Sequence, residues 1–396
     1  MNAKKIDKLI ILVYFLSIAL SLYYYGLSQS IGHMDIMAPI GILLLPFGVA
    51  VLQLVRISST LCKYKINVLG RVWLWIFIYY LWAFIIGFTY GHTTYNYNTY
   101  WFVFCPPVAW VYFSLVLKET PSLSKYLVKL SFGLLILYSA IFLYFVPKSI
   151  HATGYFASLN TGYYALMIYP LSMMNKSRMK QIVSTGLLLI VVLLSMKRGA
   201  VVSVSVAFIL YFLLSSYKKL GKKIVAFATF ALVVVYLFPR INEYSNGTLL
   251  HRYEFTQNQG DEDGRASMYP LVWSEIWSSS PTEVIFGHGH NAIISNNVLQ
   301  GLSAHNDYLE FFYDYGILGL LLLLLYQFQL FRITKISHRL KTDFLPTIFA
   351  LTSIVVLSMV SIVYAYNYFL IIIPFWSLMM NRLETNTRNE NRNINF

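Results

Sequence analysis

His305 is the side chain in this sequence that is best suited to proton transfer. It lies in the run Ser-Ala-His-Asn-Asp-Tyr-Leu-Glu at 303–310, and Asn306, Asp307 and Glu310 follow closely enough to orient one of its ring nitrogens. Apolar residues at helical spacing come next along the chain, which predicts that His305 lies at the start of a helix. A histidine with a purely structural role is the alternative.

Lys197 and Arg198 are adjacent cations in a short turn between two apolar segments. A charged side chain inside the bilayer costs about 2.5–3.5 kcal/mol on insertion scales, and less near the interface. Two neighbouring cations at a membrane surface therefore need an anionic partner or water, and they indicate a binding site. Snorkelling of both side chains from a helix end is the alternative.

Arg265 directly follows the acidic run Gly-Asp-Glu-Asp-Gly at 260–264. The segment that it opens, 266–277, has apolar residues at helical spacing, which predicts an amphipathic helix lying on the membrane surface. A cation in this place would most simply pair with the preceding acids on the surface.

Two groups of residues could be read as metal ligands. Asp261 and Asp263 are interpreted as caps of the helix that follows them, with binding of a divalent metal as the less favoured alternative. His288 and His290 lie in a glycine-rich turn, and their spacing to His305 matches no closed zinc signature. The sequence therefore predicts no metal site.

The elements that must position these residues are predicted to be transmembrane helices. Hydrophobic residues make up 58% of the chain and charged residues 12%, whereas soluble domains carry about 25% charged residues. The fold class is therefore an all-α polytopic membrane protein, in which each span takes about 20 mostly apolar residues. The sequence contains twelve candidate spans: 8–27, 36–55, 72–90, 101–117, 126–146, 160–175, 181–196, 199–217, 224–238, 315–331, 345–364 and 366–381.

The basic residues decide the predicted orientation. With the N-terminus inside, 24 of the 30 Lys and Arg residues fall in cytoplasmic segments, as the positive-inside rule requires. Both termini are then cytoplasmic, and the net charge of +14 reflects topology rather than binding of nucleic acid. The predicted divisions are nine spans in 1–238, an external catalytic loop in 239–314, three spans in 315–381, and a polar cytoplasmic tail in 382–396. The Asn-rich part of this tail after Leu383 is expected to be disordered.

Several motifs resemble those of the O-antigen ligase and O-antigen polymerase superfamily. The pair His305-Asn306, followed after nine residues by Gly-Ile-Leu-Gly at 316–319, is similar to the signature of that family. The turn Ser-Met-Lys-Arg-Gly-Ala at 195–200 resembles the family element Ser-x-x-Arg-Gly-Ala, and 264–289 resembles its large external loop. Asn160 matches an asparagine that the family often carries before a short span. The resemblance covers roughly residues 155–330.

The resemblance implies glycosyl transfer from a lipid-linked donor on the outer face of the bacterial cytoplasmic membrane, by a membrane glycosyltransferase of the C type. It implies that Arg198 and Arg265 face the diphosphate of an undecaprenyl-linked glycan and that His305 acts near the acceptor hydroxyl. Lys197 departs from the family, in which many members have a small residue there, so it either strengthens diphosphate binding or snorkels. The candidate substrate-binding residues are Lys197, Asn160, Asn306, His290 and Glu310.

No cofactor is predicted for this chemistry. Two arginines can stabilise a leaving diphosphate electrostatically, and the chain lacks a nucleotide-type glycine loop. The predicted partners are the lipid-linked donor, a glycan or lipid A core as acceptor, and membrane lipids, with a chain-length regulator and a flippase as further candidates.

The alternatives differ mainly in the acceptor. A polymerase of oligosaccharide repeat units is favoured, because the Lys-Arg-Gly turn at 197–199 and the run Asn-Asp-Tyr-Leu-Glu at 306–310 look more like polymerase members. An O-antigen ligase and a protein O-oligosaccharyltransferase use the same chemistry and stay open. A glycan flippase is the non-enzymatic alternative, but it predicts internal repeats and broken helices, and it leaves the long external loop unexplained.

Overall fold

The computed structural model describes residues 3–31, 40–61, 97–153, 162–195, 197–214, 265–361 and 367–394, together with isolated positions between 78 and 86 and between 221 and 243. These residues form α-helices and their connections, without a β-strand, so the all-α class is confirmed. The helices of the continuous segments are α1 (Ala3–Ile31), α2 (Ile40–Leu61), α3 (Tyr97–Glu119), α4 (Leu123–Thr153), α5 (Gly162–Met173), α6 (Arg178–Ser195), α7 (Arg198–Leu214), α8 (Arg265–Ser278), α9 (Pro281–Phe286), α10 (Ala292–Ser295), α11 (Asp307–Arg339), α12 (Phe344–Val360) and α13 (Asn367–Ile394).

Four described helical segments are long and apolar enough to cross a membrane: Ala3–Tyr23, Leu123–Tyr144, Arg178–Ser195 and Asp307–Arg339. Apolar side chains such as Ile182 and Phe328 are 64% and 55% exposed on the surface of the helices, which suits contact with hydrocarbon rather than water. The chain is therefore a membrane protein, and the number of twelve spans stays a prediction. Two of the predicted spans, 72–90 and 224–238, lie largely outside the described residues.

The short helix α5 lies at the centre of the described bundle. All twelve of its residues are buried, and it packs against α4, α6, α12 and α13. The Tyr169 ring meets the ring of Phe349 on α12 edge-on, with centroids 4.6 Å apart. A helix of this length rises only about 18 Å, which is less than the hydrocarbon thickness. Burial inside protein resolves this mismatch, because the backbone at the ends of α5 does not face lipid.

An ion-pair cluster joins three helix ends that the prediction places on the cytoplasmic side. Arg56 near the end of α2 donates from Nε to Asp7 in the first turns of α1, at 2.9 Å, and from Nη2 to Glu119 at the end of α3, at 2.7 Å. The Asp7 side chain is fully buried, so its charge needs this partner. The cluster therefore fixes the relative positions of α1, α2 and α3 at one end of the bundle, here called the inner end.

The expected disorder of the polar tail is wrong for the part that the structure describes. Helix α13 continues to Ile394, and residues of its polar half are tied to neighbouring elements. Arg382 pairs with Asp343 at 2.5 Å, and the Asn386 side chain donates to the Thr342 hydroxyl at 3.4 Å. Composition alone suggested disorder because the segment has no apolar pattern, but a helix already started in the membrane needs no new nucleus to continue.

A small unit with its own apolar core lies at the opposite, outer end of the bundle. This outer unit comprises α8, α9, α10 and the first turns of α11, which is residues 265–315. Its apolar core contains buried residues from α8, α10, α11 and the connection between α10 and α11. Helix α9 packs alongside this core. The buried core residues are Val272, Ile276, Ala292, Ile293, Leu299, Ala304, Phe312 and Tyr313.

Helix α11 begins eight residues before the predicted start of the tenth span at 315, and Gly316 interrupts it. Gly316 has φ 67° and ψ −172°, which is not a helical conformation, so the carbonyls before it need other donors. The backbone N–H of His288 donates to Tyr313 O at 3.0 Å, and the N–H of Gly289 donates to Asp314 O at 2.9 Å. The glycine-rich turn thus replaces the hydrogen bonds that the interruption removes.

Two glycines allow this close contact of backbones. A Cβ atom on Gly287 would collide with the carbonyl oxygen of Asp314, and a Cβ atom on Gly316 would collide with the carbonyl oxygen of Ile285. Both glycines also have positive φ, which other residues adopt only with strain. The motifs Gly-x-Gly at 287–289 and Gly-x-x-Gly at 316–319 therefore meet in space, where they join the turn to α11.

Candidate functional site

His305 lies at the entrance to α11, in a backbone conformation that is unusual for a histidine. Its φ is 51°, in the left-handed region, and its side chain is half-buried. Nδ1 of its ring lies 3.5 Å from the hydroxyl of Ser303. The neighbouring Ala304 is fully buried in the core of the outer unit. The contacts of Ser303 and Ala304 therefore fix the position of His305.

Asn306 is the N-cap of α11. Its side-chain oxygen accepts the N–H groups of Tyr308, at 3.0 Å, and of Leu309, at 3.2 Å, which the first turn of a helix leaves without partners. Its amide nitrogen donates to the carbonyl of Met359, at 3.2 Å. Asn306 thus joins the His305 segment to the last turn of α12, which is a structural task alongside the predicted contact with substrate.

The same carbonyl of Met359 receives a second donor from α8. The Tyr269 hydroxyl lies 3.3 Å from it, and Tyr269 follows Arg265 by four residues, or about one helical turn. The first turn of α8 is therefore placed at the end of α12. The helix itself spans Arg265–Ser278, close to the predicted amphipathic segment 266–277.

The turn between α6 and α7 reaches the same place from the other side. A Cβ atom on Gly199 would lie 2.7 Å from Cγ2 of Val360 and 3.0 Å from the hydroxyl of Tyr163, so only a glycine fits here without movement. Arg198, beside this glycine, has an exposed side chain, and that of Lys197 is half-buried. The elements that carry Arg198, Arg265 and His305 thus meet at Met359–Val360, the outer end of α12.

Arg198 is also the first residue of α7. Cations are disfavoured at a helix N-terminus, where the helix dipole is positive, by about 0.3–1 kcal/mol. Lys197 immediately precedes it, and the Lys197 carbonyl accepts the first helical N–H, that of Ala200, at 3.0 Å. Two cations and the positive end of a helix together favour an anion at this turn.

Glu310 faces inward, one turn into α11. Its side chain is 5% exposed, and its carboxylate accepts the N–H of Ala304 at 2.6 Å and also the N–H of His305. A buried carboxylate needs such donors, because burial removes its water. Glu310 therefore fastens the backbone just before the helix and lies beneath His305.

Asp314 is a functional candidate that the sequence analysis missed. It is 4% exposed and accepts three backbone N–H groups at the start of α10: those of Asn291 at 2.8 Å, Ala292 at 2.9 Å and Ile293 at 3.3 Å. A carboxylate at the N-terminus of a helix stabilises its free N–H groups. The signal in the sequence was the spacing of four between Glu310 and Asp314, which places both acids on one face of α11.

His290 is buried beside α11. It is 9% exposed, its Nδ1 is hydrogen-bonded to the hydroxyl of Tyr315, and its Nε2 has no partner among the described residues. Burial lowers the pKa of His290 to about 4, because a charged ring would lose its hydration. His290 is therefore neutral at pH 7. Substrate could contact His290 directly only if it reached the buried Nε2 atom.

His288 has a structural environment. Its Nε2 lies 2.9 Å from the hydroxyl of Ser279, its Nδ1 lies 3.0 Å from the carbonyl of Tyr313, and its ring stacks on that of Tyr313 with centroids 4.0 Å apart. Within the described segments, no group of three His, Cys, Asp or Glu side chains could hold a metal ion. The acidic run at 261–263 lies outside those segments, as does Asn160.

The part of the chain that contains these residues matches a known protein family. Residues 183–324 match the family model described as O-antigen ligase. This part of the chain is therefore similar to the O-antigen ligase domain. The match confirms the resemblance to the ligase and polymerase superfamily, and it implies activity of the ligase or polymerase type on lipid-linked glycans in a membrane. No curated protein matches the chain.

The matched range runs from within α6 to within α11, so it includes the turn at Arg198, the outer unit and the His305 segment. The outer end of α12, on which these parts converge, follows this range along the chain. Helix α12 thus lies outside the matched range, although its outer end is the place where the parts inside that range meet.

Proposed function

We propose that this protein is a polymerase that joins undecaprenyl-diphosphate-linked oligosaccharide repeat units into O-antigen, capsule or exopolysaccharide. The observation that carries the proposal is the meeting, at the outer end of α12, of the elements that bear Arg198, Arg265 and His305. The three residues lie within 183–324, the range that matches the O-antigen ligase family model.

The two arginines would bind the diphosphate of the donor. During transfer, the bond between the sugar anomeric carbon and the diphosphate oxygen breaks, and negative charge builds on that oxygen. Arginine is suited to this charge, because it stays protonated and donates two parallel hydrogen bonds to phosphate. Lys197 and the N-terminus of α7 add positive potential at the same turn.

His305 would receive the proton of the attacking hydroxyl. As the acceptor oxygen forms its bond to the anomeric carbon, the proton moves from that oxygen to a neutral ring nitrogen of His305. The diphosphate leaves from the opposite side of the carbon, so a single displacement inverts the anomeric configuration. General base catalysis of this kind contributes about 10²- to 10⁴-fold to the rate.

The site is proposed to face the non-cytoplasmic side of the cytoplasmic membrane. The predicted orientation places the turn at Arg198, the outer unit and the end of α12 together on that side, with both termini inside. A donor anchored by its lipid tail would reach this end of the bundle from the outer leaflet. A chain-length regulator and a flippase for the donor are the proposed partners.

O-antigen ligase activity is the second candidate, because the matching family is described by that activity. The two differ in acceptor, and loss of the protein separates them in the producing cell. A polymerase mutant would leave single repeat units on the final carrier, whereas a ligase mutant would lack surface glycan and accumulate lipid-linked polymer. Glycan gels and extraction of lipid-linked intermediates read both outcomes.

The assigned residues are tested by three substitutions, in purified protein in lipid nanodiscs with a lipid-linked repeat unit as substrate. Arg198→Ala and Arg265→Ala are expected to lower turnover by about 10²- to 10³-fold, as loss of a charge-stabilising donor does. His305→Ala is expected to lower it by about 10²- to 10⁴-fold. The readout is the ladder of products against time.

Arg240→Ala is the matched control. Arg240 belongs to the same predicted external loop, but its exposed guanidinium lies over the Tyr236 ring, 5.2 Å from the centroid. This variant should polymerise at the normal rate. If all three site variants reach normal levels and also polymerise normally, the site is misassigned.

A further inference from the structure

Among the buried acids of the outer unit, Glu310 and Asp314 accept hydrogen bonds from backbone N–H groups. Glu310 and Asp314 are 5% and 4% exposed and lie one turn apart on α11. Asp314 holds the start of α10, on the far side of the helix entrance, whereas Glu310 holds the two residues Ala304 and His305. The two acids thus hold different loops, and only Glu310 acts on the segment of His305.

We propose that Glu310 is a positioning residue for His305 in the glycosyl transfer, a role that rests on the function proposed above. Its carboxylate lies beneath the entrance to α11 and accepts the N–H groups of Ala304 and His305. These bonds hold His305 with φ at 51°, in a conformation that an L-residue otherwise rarely adopts. The ring of His305 is thereby held half-exposed at the surface of the outer unit.

The cap of α11 explains why a glutamate occurs at this position. Asn306 accepts two N–H groups of the first turn, which is the usual task of an N-cap residue. In a capping box, an acid three residues after the cap reaches back to the N–H of the cap residue itself. Glu310 lies four residues after the cap and reaches further back, to the two residues before it. The result is a cap that includes His305.

Three contacts would together hold the backbone of His305 in place. The Ala304 side chain is fully buried, the Asn306 side chain donates to Met359 at the outer end of α12, and Glu310 takes the two backbone N–H groups between them. Removing the carboxylate would leave those donors without partners and free the backbone to leave the left-handed region. Small displacements of a reacting group lower the rate strongly, because transfer requires alignment of the groups.

The test compares Glu310→Gln in two backgrounds, in the nanodisc polymerisation assay. Glutamine has the same shape but offers one accepting oxygen in place of two. In the otherwise unchanged protein, kcat should fall about 10- to 100-fold, with little change in KM for the lipid-linked substrate. In the His305→Ala protein, the same substitution should change the residual rate by less than about 2-fold, because the group it positions is gone.

Glu275→Gln provides the control, since it removes an exposed carboxylate from the same outer unit. It should leave kcat unchanged. An equal loss of rate from Glu310→Gln in both backgrounds would mean a general structural role and would overturn the proposal. Full activity of Glu310→Gln, with His305→Ala inactive, would also overturn it while leaving the proposed function intact. Full activity of His305→Ala would instead refute the proposed role of His305 itself.

Hydrogen exchange of the unsubstituted protein tests the geometry even if Glu310→Gln fails to fold. The amides of Ala304 and His305 should exchange much more slowly than those of an unstructured peptide, although they precede the helix. Exchange of these two amides at the unstructured rate would show that the carboxylate does not hold them, and the proposal would fail.

Discussion

The bundle and the outer unit of this protein are held together in different ways. In the bundle, α5 and its neighbours pack side chain against side chain, and each long helix satisfies its own backbone hydrogen bonds. In the outer unit, α9 has six residues and α10 has four, so most of their backbone groups lie at helix ends. Buried carboxylates and the interruption at Gly316 supply the missing partners.

The two regions therefore constrain the sequence differently. The bundle needs apolar volume, which many side chains can provide with little change in free energy. The outer unit instead depends on particular atoms. It requires the carboxylate of Asp314, and it requires that Gly287 and Gly316 have no Cβ atom. The residues that we propose for chemistry belong to this second region or border on it. The site thus rests on backbone contacts rather than on bulk packing.

The largest effect is expected from Gly316→Ala, which should disrupt the outer unit and leave the bundle intact. The new Cβ would collide with the carbonyl of Ile285 and would force alanine to φ 67°. Strain in the left-handed region costs about 1–2 kcal/mol, and overpacking adds about 1–3 kcal/mol. The outer unit should detach from α11, and proteolysis within 279–306 should become fast. The bundle, by contrast, should keep its helical content by circular dichroism.

Gly301→Ala is the matched control for this effect. Gly301 also has positive φ, at 80°, but a Cβ atom there would meet no atom within 4 Å. It should therefore show only the backbone strain, and proteolysis should stay close to that of the unsubstituted protein. Equal sensitivity of the two variants would mean that the contact between Gly316 and Ile285 does not hold the outer unit in place.

The sequence predicted the parts of the site better than the contacts between them. Helical periodicity and charge placed His305 before a helix and Arg265 at the start of one, and the structure agrees with both. The motif resemblance is confirmed by the family match. Helix starts, charges and motifs depend on side chains that are close together in the sequence, so a pattern along the chain reveals them.

The contacts that join the parts could not be predicted, because backbone atoms make them. The carbonyl of Met359 binds both Asn306 and Tyr269, yet a carbonyl is present at every residue and leaves no mark on composition. The clamp at Asp314 involves N–H groups of a distant turn for the same reason. Disorder was predicted after Leu383, but α13 continues to Ile394, and contacts such as that of Asn386 with Thr342 hold its polar part.

The second prediction uses pH to measure the contribution of His290 to the stability of the outer unit. Burial lowers the pKa of His290 to about 4, whereas an exposed histidine in the unfolded chain has a pKa of about 6.5. Between these values the unfolded state binds the proton and the folded state does not, so stability falls as pH falls from 6.5 towards 4. Between pH 7 and pH 5 the contribution of His290 to this loss should be about 1–2 kcal/mol. The buried acids Glu310 and Asp314 act in the opposite direction, because burial raises their pKa and the folded state then keeps their protons as pH falls.

Proteolysis of the outer unit at pH 5 and at pH 7 measures this effect, with a protease whose activity is calibrated at both. His290→Gln removes the titrating ring but keeps both acids, so the change from pH 7 to pH 5 should accelerate its proteolysis less, or slow it more, than that of the unsubstituted protein. An identical pH dependence in both proteins would assign the effect to other groups and refute the role given to His290.

The smallest effect is expected from Phe349→Leu in the bundle, and its partner change in the outer unit is Phe312→Leu. Phe349 is fully buried and meets the rings of Tyr169 and Phe208, so its replacement loses ring contacts worth about 1 kcal/mol. Lipid is as apolar as the bundle core, so no large hydrophobic term is added there. Phe312 supports the exposed rings of Trp273 and Trp277, at centroid distances of 6.0 and 6.2 Å.

Because the outer unit is proposed to lie outside the hydrocarbon, truncating Phe312 should lose hydrophobic burial as well, and the cost should rise to about 2 kcal/mol. Thermal unfolding of both variants in the same nanodiscs, with proteolysis of the outer unit as a second readout, gives the order of the two effects. A larger loss from Phe349→Leu would reverse that order. It would mean that packing in the bundle is as specific as the contacts that hold the site.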